Sequence, residues 1–178
     1  GQDLGGVAFG PNGDLYGISS ATSVKRFDGT SGSLVATYSL DTPGADLAFG
    51  TGGDFFVGSG TPQGGGVRRY DGLTGASEGL FVDVDNGRRL AFGTGGDLFV
   101  SEFVSGSDVV TRFDGTTGAN LGTFATSQSG GFGELAFGTG GDLFAIVGGE
   151  SIARFDGVTG AFEGPFTSGF AFGDDVLG

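Results

Sequence analysis

LAFGTGGDLF at Leu90–Phe99 recurs as LAFGTGGDFF at Leu47–Phe56, as LAFGTGGDLF at Leu135–Phe144, and as VAFGPNGDLY at Val7–Tyr16. Glycine reaches positive φ without a Cβ clash, so the FGTGGD centre of each copy can reverse the chain sharply. Apolar residues flank the turn on both sides, which predicts a β-hairpin with a loop longer than the two-residue minimum. A lone hairpin leaves its faces unburied, so the repetition is what builds a fold.

Working outward, Ala-Phe-Gly begins at Ala8, Ala48, Ala91, Ala136 and Ala171, at intervals of 35 to 45 residues. A second marker, Arg-(Phe/Tyr)-Asp-Gly, begins at Arg26, Arg69, Arg112 and Arg154, and a third follows at Ser31-Gly32, Thr74-Gly75, Thr117-Gly118 and Thr159-Gly160. Three markers in constant order define four repeats, at about 4–45, 46–88, 89–132 and 133–167, with an additional strand at 168–178, all within one domain of 178 residues. In the third repeat the pattern predicts strands at Arg89–Phe92, Asp97–Phe103, Val109–Asp114 and Ala119–Thr126, with a polar loop at Val104–Asp108. The run Leu98-Phe99-Val100 is apolar on both alternating faces, as expected of a strand packed between two sheets. Four short strands in such a period describe a blade of a β-propeller, so the expected fold is all-β: four four-stranded antiparallel blades plus the first strand of a fifth repeat.

Composition agrees. The 42 glycines supply turns and the 19 phenylalanines supply a core. With 21 acidic and 8 basic residues the net charge is −13, a field that repels phosphate backbones and anionic membrane surfaces. Nucleic acid and membrane insertion are therefore excluded as partners. No apolar run approaches the ~20 residues of a membrane-spanning helix, and any targeting segment is expected to lie outside this stretch. The chain contains no cysteine and no histidine, so disulfides, thiol chemistry and Ser-His catalysis are absent.

The pattern L-A-F-G-(T/P)-(G/N)-G-D-L-(F/Y)-V followed by R-F-D-G-x-T-G-A resembles the NHL-type propeller repeats of secreted bacterial proteins, over essentially the whole chain. The resemblance implies the fold and an extracellular or cell-surface location, but no particular activity. Related calcium-dependent lactonases and lyases use channel-lining acids, amides or histidines. This chain has no histidine and offers no residue-by-residue match to those acids, so the resemblance transfers no enzyme activity, and none is expected.

Candidate sites are few. The glycine loops are followed by strands, not by the helix N-terminus that a phosphate loop requires. Asp14, Asp54, Asp97 and Asp142, and likewise Asp28, Asp71, Asp114 and Asp156, occupy equivalent places beside glycine and read as turn caps. No cofactor is expected. Calcium is the one ion left open, with Asp83-Val84-Asp85-Asn86-Gly87 the nearest approach to a calcium loop. Arg26 and Asp28, two apart on a strand, share a side, and their counterparts predict a ring of Arg–Asp pairs linking adjacent repeats; a carboxylate-binding ring of arginines is the functional alternative. No spacing singles out a pair of catalytic carboxylates.

The fifth Ala-Phe-Gly, in Phe170, Ala171, Phe172 and Gly173, is one strand more than four blades use. An unpaired apolar strand edge invites another chain, so these residues form the expected assembly strand, unless the chain was cut from a longer array. Head-to-tail donation yields filaments when the rotation does not close. The expected function is thus a structural, self-associating extracellular protein, a filament or surface-layer subunit, with Ser/Thr-rich stretches at Ser101–Thr111 and Thr123–Ser129 able to carry O-linked sugars. The alternatives are a monomeric propeller that binds a protein or glycan, and a calcium-dependent lactonase- or lyase-like enzyme.

Overall fold

A computed structural model describes residues 5–60, 65–127, 130–149 and 151–168. Each repeat folds as one four-stranded antiparallel sheet, ordered as in the sequence. The first contains β1 (Val7–Phe9), β2 (Leu15–Ser20), β3 (Ser23–Phe27) and β4 (Leu34–Ser39), and the second β5 (Asp46–Phe49), β6 (Phe55–Ser59), β7 (Gly66–Tyr70) and β8 (Ser77–Val82). The third contains β9 (Arg89–Phe92), β10 (Leu98–Val104), β11 (Ser107–Phe113) and β12 (Asn120–Thr126), and the fourth β13 (Phe132–Phe137), β14 (Leu143–Val147), β15 (Ser151–Phe155) and β16 (Phe162–Ser168). The sheets are the blades of a β-propeller. Among the described residues no helix is long and apolar enough to cross a membrane.

The three sequence markers meet at one end of each blade. In the FGTGGD turn of the third blade, Gly93 N–H donates to Asp97 O at 2.9 Å and Gly96 N–H to Gly93 O at 2.9 Å, with Gly96 at φ 87°. Asp114 of the second marker caps its own turn, its Oδ1 accepting from Thr116 N–H, Thr117 N–H and the Thr117 hydroxyl at 3.1, 2.7 and 2.8 Å. The glycine after it has a separate cause: a Cβ on Gly115 would lie 1.8 Å from Gly96 O, and Gly29, Gly72 and Gly157 stand equally close to Gly13, Gly53 and Gly141. Arg-Phe-Asp-Gly therefore clamps the third strand's turn onto the first hairpin's turn.

The arginines complete that clamp within a blade, not between blades as the sequence suggested. Arg26 pairs with Asp14 at 2.6 Å, and Arg69, Arg112 and Arg154 pair with Asp54, Asp97 and Asp142. The register explains the correction: Arg112 lies directly across from Phe99 on β10, which sets its guanidinium over that ring and beside the Asp97 turn. The Val104–Asp108 loop is also shorter than predicted. Ser105 (φ 51°) and Gly106 (φ 88°) form a two-residue turn with both residues left-handed, so β10 and β11 pair up to Val104 and Ser107.

The core lies between blades. Leu98 and Val100 face the second blade's cluster while Phe99, between them, enters the fourth blade's, so β10 is buried on both faces as its sequence predicted. In the second, third and fourth blades the Ala-Phe-Gly phenylalanine reaches back to the aromatic ring of the preceding blade's second strand: Phe49 to Tyr16 at 4.8 Å, Phe92 to Phe56 at 4.9 Å, Phe137 to Phe99 at 4.7 Å. Three clusters fill the three interfaces between successive blades, and among the described residues none joins the fourth blade to the first. Phe9 accordingly stays 66% exposed.

Candidate functional site

At the opposite end of the blades, where the inner strands begin, the repeats cease to be alike. The residue before Val/Leu-Ala-Phe is Gly6, Asp46, Arg89 and Glu134 in turn. The fold places all four at the same step of the inner strand, and three carry charge.

Asp46 is 2% exposed. Its Oδ1 accepts Leu47 N–H at 2.8 Å, and its Oδ2 accepts Leu90 N–H of the third blade at 3.0 Å. Gly6 gives it room, since a Cβ there would lie 1.9 Å from Asp46 Oδ1. Burial pushes the Asp46 carboxyl up to about 7, and the nearby charge of Glu134 adds to the rise; the two N–H donors and Arg89 act against it. Arg89 donates to Ala45 O at 3.5 Å and stands 3.6 Å from Glu134 Oε2, while its own backbone N–H is held by the Ser101 hydroxyl at 3.2 Å. The Arg89 and Glu134 side chains are 36% and 55% exposed, so both are open to solvent in front of the buried Asp46.

Such a set holds an electrophile and a base side by side: a guanidinium to receive negative charge and a carboxylate within reach of water. It does not fit a divalent cation. Both Asp46 oxygens are engaged by N–H groups, and Arg89 places a positive charge where the ion would sit. Another carboxylate group, Asp54, Asp71 and Glu78, has ligand atoms within 4.8 Å of one another, but Arg69 already pairs with Asp54 and Glu78 and would have to be displaced by an ion there. In the calcium-like stretch Asp83 and Asp85 are exposed whereas the Asn86 amide oxygen is buried.

No family model matches the sequence, and no curated protein matches it. Solved structures do. An auxiliary nutrient binding protein from Bacteroides ovatus superposes with a TM-score of 0.72 at 18% identity, over 90% of this chain and 40% of that one. XC5397 from Xanthomonas campestris, a gluconolactonase, gives 0.72 at 20% identity over 93% and 63%. A further structure named for gluconolactonase gives 0.72 at 16% over 91% and 62%. This chain thus spans between 40% and 63% of the length of these structures.

They overturn the filament expectation. Two of the three structures just described are named for gluconolactonase and one for nutrient binding, and none of the three for assembly. The physical reason lies in the inner-strand end, where Arg89 and Glu134 stand part-exposed as a charged pair that the repeat pattern does not call for. The proposed assembly strand, Phe170, Ala171, Phe172 and Gly173, lies outside the described residues. Sequence reasoning followed the positions at which the repeats agree and so passed over Asp46, Arg89 and Glu134. The signal that could have found them was the opposite one, a single repeat position at which residue type changes from copy to copy.

Proposed function

We propose that the inner-strand end is a hydrolytic site of lactonase type, opening the ring ester of a polyhydroxylated acid. The observation that carries this reading is the juxtaposition of Arg89 and Glu134, at 3.6 Å, above the buried Asp46. Water attacks the lactone carbonyl carbon as Glu134 takes its proton, and the oxyanion that forms is stabilised by the Arg89 N–H donors. The ring C–O bond then breaks, the leaving oxygen regains the proton from Glu134, and the new carboxylic acid releases its own proton to water, leaving a hydroxy acid whose carboxylate faces Arg89. Asp46 acts through others: by holding Leu90 N–H it fixes the start of β9 and therefore the origin of Arg89.

The test is pH-stat hydrolysis of a panel of aldonolactones by the wild type, Glu134→Gln and Arg89→Gln. Each substitution is expected to lower kcat about a hundredfold. Hydrolysis no faster than buffer, or an undiminished rate in Glu134→Gln, overturns the reading. The nutrient-binding structure supports a second one, a propeller that binds such an acid without turnover; binding of the hydroxy acid with no lactone opening distinguishes it. The NHL-type character of the repeats and an extracellular location belong to the same proposal, supported by the repeat pattern.

A further inference from the structure

Beside this site, between the third and fourth blades, lies a cleft of about 470 Å³ walled by Asn86, Arg88, Glu102, Phe103, Asp108 and Phe132. The volume is that of a small-ligand pocket, ~300–1,000 Å³. Its chemistry is unlike the rest of the surface. Six arginines, Arg26, Arg68, Arg69, Arg89, Arg112 and Arg154, are in ion pairs, whereas among the described residues Arg88 has none, although acids outnumber bases 21 to 8. Asn86 is held left-handed at φ 58°, with its Oδ1 buried and without a hydrogen-bond partner. Phe103 is 54% exposed at the end of β10, across from Asp108, whose carboxylate lies over Gly131.

We propose that this cleft binds an acidic sugar, a uronate unit of an oligosaccharide. Its carboxylate pairs with Arg88, the apolar face of its ring lies on Phe103, and its hydroxyls donate to the Glu102 and Asp108 carboxylates. A neutral sugar satisfies all of these except Arg88. Inorganic phosphate lacks both the apolar face and hydroxyls enough for the acceptors. The site uses none of Asp46, Arg89 or Glu134, and so stands whether or not lactones are opened next to it.

Isothermal titration of the full chain with trigalacturonate and with galactotriose tests this. Trigalacturonate is expected to bind about tenfold or more tightly than galactotriose, Arg88→Gln to bring it down to the neutral sugar's affinity, and Phe103→Ala to weaken both. Glu134→Gln, which removes the proposed base, is expected to leave both affinities unchanged, which separates this result from the outcome for hydrolysis. Thermal melting of each variant verifies that it is folded. Equal affinity for the two trimers, unchanged trigalacturonate affinity in Arg88→Gln, or no binding of either trimer overturns the proposal.

Discussion

Asp46 Oδ2 accepts the backbone N–H of Leu90 at 3.0 Å, so a side chain of the second blade closes the hydrogen-bond edge of the third. The same carboxylate occupies the space that a side chain on Gly6 of the first blade would take. One buried acid thus ties together three inner strands, and the charged pair in front of it joins the third to the fourth.

Gly6→Ala is expected to cost about 1–3 kcal/mol, because its Cβ meets Asp46 Oδ1 and neither Asp46 nor the Leu47 N–H behind it has space to retreat. Urea unfolding measures the loss. In the Asp46→Ser background the same change is expected to cost less, which a double-mutant cycle detects.

Asp46 also sets a pH dependence. Its folded pKa, about 7, lies above the unfolded carboxyl value of ~4, so the folded state holds the proton more tightly between these limits. Its contribution is fully present below that window and is lost as pH rises through it. The wild type's unfolding free energy relative to Asp46→Asn is expected to fall by on the order of 1.4 kcal/mol per pH unit across the window. A difference that stays constant from acid to neutral pH sinks this assignment.

Equivalent phenylalanines are expected to differ by place. Phe92→Ala removes a ring packed at 4.9 Å on Phe56 and should cost roughly 2–4 kcal/mol, whereas Phe9→Ala, at a 66% exposed ring, should stay within about 0.5 kcal/mol. A large loss for Phe9→Ala would mean that the first blade's outer face is covered in solution.

Arg112→Gln should lower stability by no more than about 1 kcal/mol, since its pair with Asp97 is part-exposed and stays within one blade. A loss of several kcal/mol would show that the pair organises more than its own turn.

Thermal melting is expected to be the same in excess EDTA and in millimolar calcium, because Arg69 already occupies Asp54 and Glu78 as their ion-pair partner. A calcium-dependent rise in Tm would show that the ion displaces that arginine.

Much of this architecture was legible in the chain. The hairpin at Leu90–Phe99, the two-faced burial of Leu98-Phe99-Val100 and the turn caps at Asp114 and its counterparts follow from φ requirements, strand alternation and local hydrogen bonding, all of which act over a few residues. The partner of Arg112 was misassigned because sequence spacing showed which side it faces but not that Asp97, 15 residues earlier, is folded to the same end of the blade.

By itself, then, the sequence determined the repeated unit: its four strands, its glycine turns and its aspartate turn caps. Only the tertiary structure decided what lies where four different inner strands begin. Asp46, Arg89 and Glu134 are 43 and 45 residues apart, and the accident that one is buried and two face water arises from the stacking of whole blades. Local propensity builds a blade, but burial and charge coupling between blades exist only once the blades are packed.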